Sequence, residues 1–267
     1  MAKPVDSRTA KDYEDNLTTL ADGGADMIVA VGISMENAVK NVAPNFPNVK
    51  FALVDATVEA PNVRNLLFAE EEGSYLAGYA AALASNTKKI GFVGGKAIPL
   101  IRKFESGYVE GAKAADPAVE ILPSRYTESW DDTAAGRAAT EALYAMGADV
   151  VYHAAGRCGL GVIEAAKSKN KLAIGVDSNQ DDVAPGFVLT SMVKRVDEGV
   201  YRSIEDLKNG KFTPGEVRYD LASKGVGLTD FRHTLARIGG EAGKKKLAAA
   251  EEAIVGGDVK IPLTPNR

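Results

Sequence analysis

The sequence predicts an α/β protein built on parallel, doubly wound sheets. Three observations carry that expectation. Short apolar runs rich in Val and Ile recur along the chain, most of them without a polar interruption. Each is closed by Gly, Asp or a polar turn, as strands buried on both faces are. Segments of helical length and period stand between them, and strand–helix alternation of this kind makes parallel sheets.

The elements follow in order. The helical stretch Ala10–Asp22 leads to the unbroken apolar run Met27–Val31, closed by Gly32. A second run at 51–54 is closed by Asp55. A helix over 73–83 gives way at 84–89 to Ser-Asn-Thr-Lys-Lys, and a fresh strand at 90–93 ends in Gly94-Gly95. The run at 119–122 is interrupted by Glu120. The helix over 134–146 has Asp132 or Thr133 as its N-cap and Gly147 as its C-terminal stop. Val150–Ala154, a helix over 161–169, and strands at 172–176 and 188–192 continue the series. A helix over 196–209 is closed by Gly210, and the tail from Val259 carries two prolines and reads as extended. The breaks at 84–89 and 194–197 divide the chain into two lobes, 1–87 with 194–267 and 88–193.

Composition narrows the function. The 267 residues carry a formal net charge of −4, with 45% hydrophobic and 25% charged residues. The densest basic stretch is Lys244-Lys245-Lys246, which reads as a solvated helix face; nucleic-acid binding requires a broader basic surface to neutralise phosphates. No stretch approaches the ~18–20 apolar residues of a membrane span. Cys158 is the single cysteine, so an intrachain disulfide is excluded. The opening residues, Met-Ala-Lys-Pro-Val-Asp, contain neither an apolar signal region nor a lipidation cysteine.

In open parallel sheets ligands bind at the carboxyl ends of strands. Ser34, Asp55, Gly94-Gly95-Lys96, the loop 126–132 with Trp130, the turn 154–159 with Gly156 and Gly159, Asp177 and Lys194 all follow strands. This polar, glycine-rich and aromatic inventory suits a polyhydroxylated ligand bearing a flat ring. Carboxylates accept from paired hydroxyls, an aromatic ring stacks, and a lysine donates. Each residue also has a structural reading: Asp55 and Asp177 as helix caps, Trp130 as packing, Gly156 and Gly159 as turn formers.

Enzyme motifs fail. A phosphate loop needs Gly five residues before Gly95-Lys96 and Ser or Thr after it, where Ile90 and Ala97 stand. Neither a dinucleotide fingerprint nor a nucleophile elbow is present. His153 and His233 are too far apart in sequence for zinc spacing. Cys158, five residues after His153, is the remaining nucleophile candidate, and no third group orients it. The expectation is therefore no catalysis, no cofactor and no metal.

Four segments together resemble a known family. They are Ile90-Gly91-Phe92-Val93-Gly94-Gly95 through Phe104-Glu105-Ser106-Gly107-Tyr108, His153-Ala154-Ala155-Gly156-Arg157-Cys158-Gly159-Leu160-Gly161, Gly175-Val176-Asp177-Ser178-Asn179-Gln180, and Thr190-Ser191-Met192-Val193-Lys194-Arg195-Val196-Asp197. From about Asp12 to Gly227 the chain resembles the basic-membrane-protein family of substrate-binding lipoproteins, purine nucleoside receptors of ABC transporters. The resemblance implies a type I periplasmic-binding-protein fold, hinged near 84–89 and 193–196, that closes on a nucleoside and delivers it to a membrane permease. It implies a place at the cell surface or in the periplasm as a lipoprotein.

Carried over, Asp177 and Lys194 contact ribose, backbone groups of the loop from Gly156 to Gly159 approach the ligand, Asp55 is a further polar contact, and Tyr152 or Trp130 stacks on the base. Ser34 completes the set. The family commonly has Gly-Gly-Thr/Ser-Gly where Gly156-Arg157-Cys158-Gly159 stands, so bulk and charge are added there. Family members also open with a strand and helix that this chain lacks. Its start at about residues 3–6 matches their second strand, which leaves the first lobe short of an interior strand. A ligand-sensing regulator on the same fold, or an enzyme of nucleoside metabolism, are the alternatives.

Overall fold

The computed structural model describes residues 4–7 and 9–265, which divide into two compact units. The first unit (residues 1–68 and 195–219) begins with α1 (Ala10–Asp22), β1 (Met27–Val31), α2 (Glu36–Val42), β2 (Lys50–Val54) and β3 (Val63–Phe68). The second (residues 69–194 and 220–267) contains α3 (Glu70–Ala84), β4 (Lys89–Gly94), α4 (Pro99–Ala115), β5 (Glu120–Ile121), β6 (Arg125–Tyr126), α5 (Thr133–Ala145), β7 (Val150–Ala154), α6 (Cys158–Lys169), β8 (Leu172–Asp177) and β9 (Val188–Lys194). The chain returns to the first unit with α7 (Val196–Lys208) and β10 (Gly215–Tyr219), then ends in the second with β11 (Val226–Leu228) and α8 (Glu241–Val255).

These boundaries differ from the lobes drawn from sequence. Residues 69–87 and 220–267 belong to the second unit, so the segment 84–89 is a helix-to-strand turn inside that unit. Asp149 holds it there: its carboxylate accepts from Ser85 Oγ (2.6 Å), Asn86 N (2.7 Å) and Thr87 N (3.0 Å). The chain passes between units at 194/195, within the other segment marked from sequence, and also at 68/69 and 219/220.

In the first unit the sheet order is β1-β2-β3-β10, all parallel. Leu17 and Ala21 of α1 and Val39 and Val42 of α2 join Ile28, Ala30, Phe51 and Leu53 in one apolar core. Helix α7 is tied to the sheet by Arg64, a buried cation on β3 whose Nη1 lies 2.7 Å from Asp206 and whose Nε donates to Thr213 O at 2.9 Å. Arg64 and Asn65 explain why β3 escaped the reading for apolar runs. Both polar residues are buried, and Asn65 satisfies Val58 N and Val58 O through its amide. The strand expected at about residues 3–6 lies outside the described residues at Lys3, and residues 4–6 form no strand.

In the second unit the order is β11-β9-β8-β7-β4-β5, with β6 also on β4; only β11 pairs antiparallel. The expected strands at 90–93, Val150–Ala154, 172–176 and 188–192 are present, each extended by up to two residues, whereas that at 119–122 shrinks to Glu120–Ile121. Asp132 is the N-cap of α5, accepting from Ala135 N at 2.9 Å. Lys244, Lys245 and Lys246 lie on α8, the last two exposed and Lys244 bridged to Asp230.

Helices α3 and α4 pack backbone against backbone. A Cβ on Gly107 would lie 2.0 Å from Glu71 O, one on Gly111 1.9 Å from Tyr75 O, and one on Gly78 2.0 Å from Tyr108 O. A methyl group at such a place meets rigid backbone and cannot be absorbed by a rotamer change. Gly111→Ala is therefore expected to destabilise the protein by about 1–3 kcal/mol, read as a lowered thermal midpoint by circular dichroism. An unchanged midpoint would show that the two helices separate freely.

Candidate functional site

The carboxyl ends of β4, β7, β8 and β9 lie side by side in the second unit and carry most of the residues singled out from the sequence. Lys194 closes β9, flanked by β8 on one side and β11 on the other, so its side chain is only 3% exposed. Its Nζ stands 3.7 Å from Glu70 Oε1 and 3.7 Å from Asp177 Oδ1, and 5.7 Å from the centre of the Phe104 ring. Glu70 is itself 1% exposed, while the Asp177 side chain is 55% exposed. A buried ammonium requires carboxylate partners, and here one partner faces the interior and the other faces water. Lys103 adds a second cation, 3.7 Å from Glu70 Oε2.

Asp177 takes a left-handed backbone conformation (φ 64°) as β8 turns, with Ser178 N bonded to Val176 O at 2.7 Å. Asp tolerates that region better than most residues. The outcome is an accessible carboxylate next to a sheltered ammonium, which can accept from hydroxyls and donate to oxygens at neighbouring points.

Trp130 is half-buried on the loop before α5. Its ring rests on Gly95, where a Cβ would lie 2.3 Å from a ring carbon, and its carbonyl accepts from Arg157 N at 2.8 Å. Lys96 Nζ is 5.9 Å from the ring centre. Gly156 (φ 56°) is exposed and adjoins the same Trp130 carbonyl. Trp130, Gly95 and Gly156 thus form one group, and Asp177, Lys194 and Glu70 another. Ser34, exposed in the turn after β1, and Asp55 (φ 68°), partly exposed after β2, stand at strand ends of the first unit.

Two of the expected residues are buried. Tyr152 is fully enclosed: its ring packs against Phe92 and Tyr108 at 5.7 and 5.2 Å between centres, and its hydroxyl pairs with Ser74 at 3.0 Å. It leaves no ring face for a ligand, because position 152 lies in the middle of an interior strand. Gly159 is likewise buried, beneath His153, where a Cβ would sit 2.0 Å from the imidazole. It makes room for packing. Glu70 and Lys103 were not foreseen, and Gln180 stood only inside the segment from Gly175 to Gln180, with no role of its own. The signal for Glu70 was the acid run Glu70-Glu71-Glu72 directly after the apolar stretch Leu66-Leu67-Phe68-Ala69, with its first two acids buried.

Nothing here assembles a nucleophile. His153 pairs with Gln180 at 3.1 Å, while Cys158 Sγ donates to Ser129 O at 3.3 Å and is approached by Thr127 Oγ1 at 3.6 Å. Burial lowers the His153 pKa to about 4 despite the opposing hydrogen bond with Gln180. Among the described residues no cluster of His, Cys, Asp or Glu could hold a metal ion, and no helix is long and apolar enough to cross a membrane.

With this geometry in hand, the comparisons define the class. Residues 2–262 match the family model described as ABC transporter substrate-binding protein PnrA-like. The chain is 35% identical to the ABC transporter nucleoside-binding protein BmpA of Lactococcus lactis, over 96% of this chain and 76% of that protein. It is 36% identical to basic membrane protein B of Borrelia garinii, over 82% of this chain and 67% of that one. Among solved structures, an ABC transporter solute-binding protein from Aeropyrum pernix superposes with a TM-score of 0.86 at 27% identity, covering 98% of this chain and 83% of that one. A structure described as a transcriptional activator of the comK gene from Bacillus halodurans has a TM-score of 0.82 at 24% identity, covering 96% and 87% of the two chains, and shows the fold alone.

This chain belongs to the PnrA-like, basic-membrane-protein family of ABC transporter substrate-binding proteins. Its fold is that of the periplasmic binding proteins. It is an extracytoplasmic, non-catalytic binding component that takes a small molecule to a membrane permease.

The buried imidazole generates a pH prediction. Because the folded pKa of His153 lies below its unfolded value of 6.5, the unfolded chain binds the extra proton between those two values. Its contribution is complete above pH 6.5 and is lost as pH falls towards 4, amounting to about 3 kcal/mol at most. Urea denaturation at pH 7 and pH 4.5 should show that loss, and His153→Gln should reduce it. An equal loss in both proteins would assign the acid sensitivity to other groups.

Proposed function

We propose that this protein is the receptor for a purine nucleoside, tethered outside the cell as a lipoprotein. The observation that carries the reading is the pairing of exposed Asp177 with sheltered Lys194 at the strand ends, in a chain 35% identical to a nucleoside-binding protein. Ribose supplies neighbouring hydroxyls for the carboxylate and an oxygen for the ammonium. Trp130, anchored on Gly95, offers a stacking surface to the base, and the exposed backbone at Gly156 offers polar groups beside it. Ser34 and Asp55 present the same chemistry at the strand ends of the first unit. The enclosed Tyr152 is not part of this reading.

Arg157 and Cys158 divide their roles. Arg157 is exposed at the start of α6, so its guanidinium is available to a ligand or to solvent, whereas Cys158 is buried.

Isothermal titration of the protein with adenosine, guanosine, inosine, the free bases and ribose tests the assignment. Saturable binding of nucleosides, with free ribose and bases binding far more weakly, is expected; binding of sugars alone would replace the nucleoside with another solute. Asp177→Asn, which tolerates the left-handed backbone while removing the charge, should weaken nucleoside binding by about 1–3 kcal/mol. Its ligand-free melting temperature should stay close to the parent's, and a large drop would make Asp177 a structural residue.

A further inference from the structure

The loop that presents Asp177 is held by a buried pair that the ligand chemistry does not use. His153 lies on β7 and is fully buried. Its Nε2 is 3.1 Å from Gln180 Oε1, and the same oxygen is 3.0 Å from Val176 N. A backbone N–H only donates, so the Gln180 atom facing it is the amide oxygen, and the orientation of the amide is fixed. It follows that His153 must donate from Nε2. Burial, which lowers the ring's pKa to about 4, keeps the imidazole neutral at pH 7, so Nδ1 is the bare ring nitrogen, buried without a hydrogen-bond partner.

The pair extends into a chain of short bonds. Gln180 N donates to Ser191 Oγ (2.9 Å), Ser191 Oγ donates to Asp181 Oδ1 (2.7 Å), and Thr229 Oγ1 donates to the same oxygen (3.0 Å). The pairing of β8 with β9 shifts register between Ala173 and Gly175, and the Gln180 side chain supplies the acceptor for Val176 N just past that shift. Space for the pair is built in. A Cβ on Gly175 would lie 2.7 Å from Gln180 Oε1, and one on Gly159 2.0 Å from the His153 ring. Two glycines, on β8 and α6, thus leave the volume that the two side chains fill.

We propose that His153 and Gln180 are positioning residues of the ligand site, whose buried hydrogen bond fixes the 177–180 turn so that Asp177 stands beside Lys194. The inference rests on the reading of Asp177 and Lys194 as ligand contacts. Neither His153 nor Gln180 needs to touch the ligand. The pair sets where the carboxylate is held before binding, and a preformed site loses less freedom on capture. A pure packing role would depend on volume and not on the acceptor at position 180.

The test compares shape-conserving with function-conserving variants. Gln180→Met and His153→Leu put an apolar side chain of related size in place of each polar one and remove the hydrogen bond, whereas Gln180→Glu keeps an acceptor. Nucleoside affinity is measured by calorimetry, folding by circular dichroism, and exchange of the Val176 and Gln180 amides by NMR in the ligand-free protein. Gln180→Met and His153→Leu should lose about tenfold or more in affinity and exchange these amides faster, while Gln180→Glu stays within about threefold of the parent. Unchanged affinity in folded Gln180→Met, or an equal loss in Gln180→Glu, overturns the proposal. If Gln180→Met does not fold, His153→Leu and Gln180→Glu decide it on the same criteria. If the parent protein binds no nucleoside, the nucleoside reading fails and the exchange rates decide alone: faster exchange in Gln180→Met supports the positioning role, and unchanged exchange removes it.

Discussion

Helices α3 and α4 touch backbone to backbone because Gly78, Gly107 and Gly111 put nothing between them, and the buried charges around Lys194 depend on that contact. A close helix pair brings the first turn of α3, with Glu70, to the first turns of α4, with Lys103 and Phe104. Both surround the ammonium of Lys194 at the end of β9. Larger residues at the three glycines would push the helices apart and leave the buried carboxylate and ammonium poorly matched. The cost of an unmatched buried charge is far greater than that of a lost surface pair, so the tightness of the helix contact sets the electrostatics of the site.

Charge is distributed there with a definite polarity. Glu70 and Glu105 are buried on the protein side, Glu105 receiving Ser124, Tyr126 and Arg102, while Asp177 is exposed on the solvent side. The interior acids hold the cations in place, while the Asp177 carboxylate stays open to solvent. The neutral His153 fits the same scheme, since a second buried cation beside the site would have no carboxylate assigned to it. Binding proteins gain from such fixed dipoles and charges because the site is organised before the ligand arrives. The family to which the chain belongs is one of ABC transporter substrate-binding proteins.

Glycine-rich strand ends serve two purposes in this fold. Gly156 and Gly95 border the loop that carries Trp130, whereas Gly159 and Gly175 lie beneath the side chains of His153 and Gln180. The sequence spelling is the same in both cases. What separates them is the side chain that comes to rest above each glycine, Trp130 in one case and His153 or Gln180 in the other.

The sequence by itself determined the alternation of strands and helices, the parallel sheets and the strand ends where Asp177, Lys194, Trp130 and Gly156 stand. Those features follow from local periodicity and from the residues that close each apolar run. It did not reveal β3, because buried Arg64 and Asn65 break the apolar pattern; Asn65 is satisfied by Val58 across a local turn, and Arg64 by Asp206, far along the chain. Nor did it separate Tyr152, enclosed among aromatic rings in the middle of β7, from Trp130 on a half-buried loop, because aromatic identity alone does not report burial. That the turn at 85–87 stays within the second unit was likewise hidden, because Asp149, which captures it, is more than sixty residues away in sequence. Tertiary structure decided these points because burial and hydrogen-bond satisfaction belong to the assembled sheet, where distant residues become neighbours.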